Sequence, residues 1–176
     1  SSDLKKYFEK RKKDSHKGSY GKLCIIAGSG KYFGAALISY NAAASLLAGC
    51  GLTCLCVPRF LGSEYRNRIT ESVLDYLPDN GENALFDADV LNNIIGSYNA
   101  ICIGMGMGSN EETYKICDYL LKNYDKKLLL DADAINSIAA FDKNIFKKPR
   151  KCDVIITPHL AEFSRLCGLS IIDIKA

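Results

Sequence analysis

Short apolar runs, each ended by glycine or a polar turn, recur along this 176-residue chain and constrain its fold more than any other feature. Leu23 to Ala27 stops at Gly28-Ser29-Gly30, and Leu52 to Val57 stops at Pro58. Ala100 to Ile103 runs into Gly104, Lys127 to Leu130 into Asp131, and Asp153 to Ile156 into Thr157-Pro158. Past a charged first residue, these runs do not alternate apolar with polar side chains as a strand with one wet face does, so each reads as a strand buried on both faces. Glu71 to Tyr76 is a further strand, closed by the turn residues Pro78-Asp79-Asn80-Gly81. Helical segments separate the strands. Gly34 to Ala48 is rich in Ala and Leu and is stopped by Gly49 and Gly51; Asp87 to Ile95 starts at a capping Asp87. Glu111 to Tyr124 has apolar residues near a period of 3.6, and Ala161 to Cys167 ends at Gly168. This alternation specifies an α/β fold, a mainly parallel sheet with helices on both faces. In such sheets ligands bind beyond the carboxyl ends of the strands, where the polar and glycine-rich punctuation falls.

Composition narrows the classes. With 48% hydrophobic and 24% charged residues, the chain has the make-up of one globular domain, not of a disordered segment. Two basic groups, Lys5 to Lys13 and Lys147 to Lys151, have no aromatic residues interleaved in a repeat and read as solvated faces, so no nucleic-acid partner is expected. No secretory leader and no stretch of about 18 apolar residues is visible, which predicts no membrane association. Of the eight cysteines, Cys24, Cys54, Cys56 and Cys102 sit inside apolar runs as small hydrophobes, and no CxxC pair is present. A reducing cytoplasm fits that usage.

The candidate chemistry lies in the punctuation. Gly28-Ser29-Gly30-Lys31 fails as a phosphate loop: Ile25 stands where the first glycine belongs, and Tyr32 stands where Ser or Thr must follow the lysine. Gly28, Gly30 and Gly34 are also spaced too widely for the dinucleotide fingerprint. Gly104, Gly106 and Gly108 follow a strand and precede a helix, so they are either a phosphate-approaching loop or a flexible turn. Asp131, Asp133 and Asn136 place two carboxylates and an amide at a strand end. They suit a water-bridged magnesium ion or a ribose, unless Asp133 only caps a helix. His159 and Glu162 open the last helix, where His159 is a ligand donor or a cap. Asp14 to Lys22, with His16 and Lys17, is a polar loop before the first strand, either an anion contact or an ordinary lead-in.

Taken in order, five segments carry a resemblance. They are SHKGSYGK (residues 15–22), AGSGKYFGAALISYNAAASLLAGCGL (27–52), GMGMG (104–108), LLDADAIN (129–136) and ITPHLAE (156–162). Together they resemble the ADP- or ATP-dependent NAD(P)H-hydrate dehydratases, over about Arg11 to Gly168. The resemblance implies a ribokinase-like fold and repair of hydrated NADH or NADPH. In that reaction the ring hydroxyl is phosphorylated from ADP or ATP, with magnesium, and phosphate is then eliminated. It further implies that Gly34, Ala35, Gly106, Gly108 and His159 face the hydrate, and that Glu162, Asn136, Asp131 and Asp133 lie near the nucleotide phosphates or metal. His16 and Lys17 would support the site, and the protein would be a homo-oligomer.

The pattern departs at three positions. Met105 and Met107 stand where the family has Pro and Leu, and Ala161 where it has Gly. The family domain also continues beyond the span matched here, on the order of a hundred residues further. That part carries the Gly-Ser/Thr-Gly-Asp segment whose aspartate is the expected catalytic base, so the base is expected beyond Ala176. Residues 1–176 are accordingly expected to be the N-terminal portion of a single domain, with no catalytic residue of their own. Three rivals stand beside this reading. One is a silent nucleotide-binding module, another a small-molecule kinase of the same superfamily, and the third an NADP oxidoreductase using Arg59.

Overall fold

The computed structural model describes Asp14 and residues 20–44, 49–70 and 72–175. Among these residues six strands form one parallel sheet: β1 (Lys22–Ile26), β2 (Leu52–Pro58), β3 (Val73–Leu77), β4 (Ala100–Ile103), β5 (Lys127–Leu130) and β6 (Asp153–Ile156). Their order is β3-β2-β1-β4-β5-β6, so the chain winds outward in one direction from β1 and then returns to build the other half from β4. The reversal lies between β1 and β4, the position beyond whose strand ends ligands bind in sheets of this kind.

Among the described residues seven helices connect or follow the strands: α1 (Phe33–Ala44), α2 (Gly62–Arg66), α3 (Ala88–Ser97), α4 (Glu111–Asn123), α5 (Asp133–Phe141), α6 (Leu160–Cys167) and α7 (Ile171–Lys175). The sequence-based strand positions hold to within a residue or two. Val73 to Leu77 replaces the expected Glu71 to Tyr76 because β3 takes its register from Cys54 to Pro58 of β2. Asp87 caps α3 as expected, accepting from the amides of Asp89 and Val90 at 2.9 and 3.0 Å. The helical segments expected from the sequence do not include α5.

Strand residues alternate between two cores. Ile25, Ala27, Leu55 and Val57 face Ala36 and Tyr40 of α1 and Leu61 and Tyr65 at α2. On the opposite face Cys24, Ile26, Cys54, Cys56, Ile101, Ile103, Leu128 and Leu130 meet α3, α4 and α5. Each fully buried aliphatic side chain contributes about 1.5–3 kcal/mol of transfer free energy. The α1 side is covered unevenly. Ile25, Cys102, Leu129 and Ile155 share one register row across four strands; Ile25 is 2% exposed, Cys102 and Leu129 are half-buried, and Ile155 is 59% exposed.

The eight cysteines are all free, and five of them are buried. Burial removes water from the thiolate, raising the thiol pKa of Cys117 to about 12 and that of Cys102 to about 11. Such groups are inert at neutral pH. In native protein a thiol reagent should label exposed Cys167 quickly, and should reach Cys24, Cys54, Cys56, Cys117 and Cys152 only after denaturation. Peptide mapping that finds early labelling of Cys54 or Cys56 would contradict the packing described.

Candidate functional site

The site is assembled from the loops that leave β1, β4, β5 and β6. Its centre is the glycine loop after β4. Gly104, Gly106 and Gly108 have φ of +122°, +69° and +84°, conformations that a Cβ disfavours. Space is as restrictive as torsion. A Cβ on Gly104 would fall 2.0 Å from the carbonyl oxygen of Asp131, and one on Gly106 would fall 2.7 Å from Ala35 Cβ and 2.8 Å from the Tyr32 carbonyl oxygen. The loop is therefore wedged between α1 and the turn before α5. The Gly28 amide donates to the Met105 carbonyl at 2.9 Å and ties the two sides of the reversal together.

The loop after β1 is held from outside. The amide of Gly30 donates to the Glu82 carbonyl at 2.8 Å, so it is not aimed at an anion, in keeping with the failed phosphate-loop pattern. Buried Tyr65 donates its hydroxyl to the Phe33 carbonyl at 2.6 Å and fixes the start of α1 beside Gly34 and Ala35. Its pKa is pushed up to about 12 by burial, which keeps the donor protonated.

The turn after β5 holds Asp131, Ala132 and Asp133. Ala132 has φ +48° and ψ −116°, the one non-glycine residue with positive φ among those described. It occupies the N-cap position of α5, so Asp133 is not the cap that one reading of the sequence allowed; it sits in the first turn. Its Oδ2 instead accepts from the Gly108 amide at 2.9 Å, across from one loop to the next. Asp131 Oδ1 accepts from the amide of Ala132 at 2.9 Å.

At β6 the cap reading of His159 is realised. Its Nδ1 accepts from the amides of Ala161 and Glu162 at 3.2 and 3.3 Å, while Glu162 Oε2 accepts from the His159 amide at 2.9 Å. This is a capping box with His in the place usually held by Ser or Thr. An accepting Nδ1 puts the ring proton on Nε2, which lies 3.2 Å from Glu162 Oε1. The imidazole is exposed and the carboxylate almost wholly buried, with side-chain exposures of 64% and 6%. Asn136 Oδ1 accepts from Arg165 Nε at 3.0 Å, joining α5 to α6.

The structure thus brings together Ala35 with Gly106, Gly108 with Asp133, Gly104 with Asp131, and His159 with Glu162. His16 and Lys17 lie outside the described residues. So does Ala176, the residue past which the catalytic aspartate is expected. Gly34 has open space about it; a Cβ there would meet nothing within 4 Å. Sequence reasoning missed Tyr65 and Asn83, the latter with Oδ1 2.8 Å from where a Gly108 Cβ would stand. It also missed Asn110, which caps α4 by accepting from Thr113 at 2.9 Å. Only Asn110 had a signal, a capping residue just before an acidic first turn. Among the described residues no three His, Cys, Asp or Glu side chains converge into a metal cage.

These loops and their order match a known family. The family model described as NAD(P)H-hydrate dehydratase matches residues 23–175. The chain belongs to the NAD(P)H-hydrate dehydratase family. It is 34% identical over 167 residues to the ADP-dependent (S)-NAD(P)H-hydrate dehydratase of Staphylococcus aureus, covering 92% of this chain and 54% of that protein. To the bifunctional NAD(P)H-hydrate repair enzyme Nnr of Dictyoglomus turgidum it is 35% identical over 164 residues, 90% of this chain and 30% of the relative. The fold matches that of the Bacillus subtilis ADP/ATP-dependent NAD(P)H-hydrate dehydratase co-crystallized with ATP/Mg2+, with a TM-score of 0.73 and 26% identity. That match covers 96% of this chain and 55% of the other. A ribokinase-like protein of Enterococcus faecalis shares the fold at a TM-score of 0.75 and 24% identity. The chain therefore has the ribokinase-like α/β fold, and it spans about half the length of the single-function relatives and less than a third of the bifunctional one.

Two outcomes follow for this family member. Ala132→Gly should stabilise the fold by about 1 kcal/mol, because relief of positive-φ strain of about 1–3 kcal/mol exceeds the added entropy of an unfolded glycine. Gly104→Ala should cost more than about 4 kcal/mol, since the clash is with backbone. Denaturant midpoints of the two variants measure both, and a destabilised Ala132→Gly would refute the strain. At the cap, His159→Ala should lose about 1 kcal/mol while His159→Asn, which keeps an acceptor, should stay within about 0.5 kcal/mol of wild type. Thermal unfolding in which the two variants coincide would remove the capping role.

Proposed function

We propose that this chain forms the substrate-facing half of a nucleotide-dependent NAD(P)H-hydrate dehydratase. The observation that carries the reading is the close approach of Gly106 to Ala35 at the sheet reversal, within a chain of this family. A floor of glycine and alanine lets a hydrated nicotinamide ring lie against backbone, and Gly34 leaves room beside it.

The chemistry is consistent with that geometry. Hydroxide is a poor leaving group, and transfer of a phosphoryl group from ADP or ATP turns the ring hydroxyl into a good one. Magnesium, when bound, offsets charge on the donor phosphates. Asp131, Asp133 and Glu162 fit an ion held mainly by water and phosphate oxygens rather than by an all-protein cage. In this reading Asp133 fixes the Gly108 amide, and His159 presents the exposed edge of its ring to the hydrate. Glu162 holds that ring and the start of α6 from beneath. The catalytic base is supplied by the rest of the family domain, beyond Ala176, which also covers Ile155 and its row on the open sheet face. Self-association belongs to the same reading, supported by outward apolar residues such as Ile38, 73% exposed on α1. Free, buried thiols support a reducing cytoplasm; no helix among the described residues is long and apolar enough to cross a membrane.

The test uses the full-length gene product with hydrated NADH or NADPH, magnesium, and ADP or ATP, following the return of near-ultraviolet dihydronicotinamide absorbance. No return with either donor would sink the reading. His159→Asn should fold normally yet lose turnover at least 10-fold. The 176-residue chain by itself should bind the hydrate without converting it.

A further inference from the structure

Beside the glycine loops, and not over them, the surface dips into a groove of about 430 Å³ between α5 and α6. Its lining is Ser109, Asn136, Ala139, Ala140, Lys143 and Arg165. The two alanines leave the hollow by having almost no side chain. Lys143 follows α5 and Arg165 lies on α6, so the two cations come from separate elements. Neither has a carboxylate partner among the described residues. The nearby carboxylate of Asp142 is committed to Lys148, 2.6 Å away. Arg165 is oriented by its Nε bond to Asn136, which occupies one donor of the guanidinium fork and leaves the terminal nitrogens. Two like charges facing one hollow, with no acid in its lining, form a site for an anion.

Size selects among anions. The volume lies in the range of small-molecule sites and is several times that of a bare phosphate, so a phosphate carried on a nucleoside fits better than a free ion. The groove shares segments with the candidate site: Ser109 directly follows Gly108, and Asn136 belongs to the Asp131-to-Asn136 segment. A dinucleotide whose hydrated ring lies at Gly106 has its adenosine end to place elsewhere. NADPH differs from NADH by a phosphate monoester on the adenosine ribose.

We infer that the Lys143–Arg165 groove binds the ribose 2′-phosphate of the substrate and makes this protein favour hydrated NADPH over hydrated NADH. This rests on the proposed function for the identity of the dinucleotide. Lys143 supplies a mobile point charge and Arg165 a fixed planar fork, a combination suited to a dianionic monoester. Ser109 offers a hydroxyl to the same group.

The experiment measures binding to the 176-residue chain by calorimetry. The probes are adenosine 2′,5′-bisphosphate, AMP, ADP and inorganic phosphate. The bisphosphate should bind about 10-fold or more tightly than AMP. Lys143→Met with Arg165→Met should abolish that margin, and Lys143→Arg should keep it. Both substituted side chains are exposed, and unchanged circular dichroism and thermal midpoints confirm folding. Equal binding of bisphosphate and AMP, or a margin that survives the double substitution, overturns the inference. Tighter binding of ADP, lost in the double variant, assigns the groove to the phosphoryl donor and overturns it as well; so does inorganic phosphate binding as tightly as the bisphosphate. In the full-length protein the double variant should lower the NADPH-hydrate to NADH-hydrate ratio of kcat/KM about 10-fold. Absence of all turnover there, with bisphosphate binding intact, would count against the dehydratase reading alone.

Discussion

The contact on which the rest of the site depends is the one between Gly104 and the turn before α5. No side chain fits there, because the carbonyl oxygen of Asp131 stands where a Cβ would be. That approach lets β4 end directly against the β5–α5 turn, so the amide of Asp133 reaches the Gly104 carbonyl at 3.2 Å. It leaves the next two glycines to face α1 and Asn83 in turn. Ala132 answers the same crowding from the other side by adopting a positive φ. Strain at one residue and the absence of side chains at three are two aspects of one packing constraint.

Polar groups then lock what sterics have brought close. Asp133 carries the Gly108 amide, Glu162 carries the His159 amide, and Asn136 holds Arg165. Each bond links a residue of the sheet's carboxyl edge to a neighbouring loop or helix, so the edge behaves as a connected frame. Satisfying Glu162 is the most demanding of these, because an almost fully buried carboxylate without donors would cost several kcal/mol. Its pairing with the backbone and ring of one residue explains why a histidine serves as a cap. The imidazole accepts amide protons through Nδ1 while its Nε2 lies beside Glu162 Oε1, and the ring still remains exposed.

Much of this was legible beforehand. The strands were visible because parallel strands covered on both faces must be apolar throughout, and that pattern survives in one dimension. The glycine loop was visible as a motif, and Asp87 and His159 were placed at helix starts by local chemistry that operates within a few residues. What escaped were partners far apart in sequence: Tyr65 on the Phe33 carbonyl, Asn83 against Gly108, Arg165 on Asn136. No periodicity encodes such pairs, since each depends on how the sheet brings together segments that follow different strands. The capping reading of Asp133 failed for the same reason. Local pattern allowed a cap, but the Gly108 amide, twenty-five residues away in the chain, was the partner that the fold delivered.

The sequence by itself determined the parallel α/β order, the burial of the cysteine-bearing strands and the family, because hydrophobic patterning and five ordered motifs are local properties of the chain. Only the tertiary structure decided which of those motifs touch. It put Ala35 on Gly106 and Gly108 under Asp133, and it set Lys143 and Arg165 on one hollow. The physical reason is the strand order: reversal between β1 and β4 makes neighbours of loops that the chain keeps some seventy residues apart, and no local rule carries information over that distance.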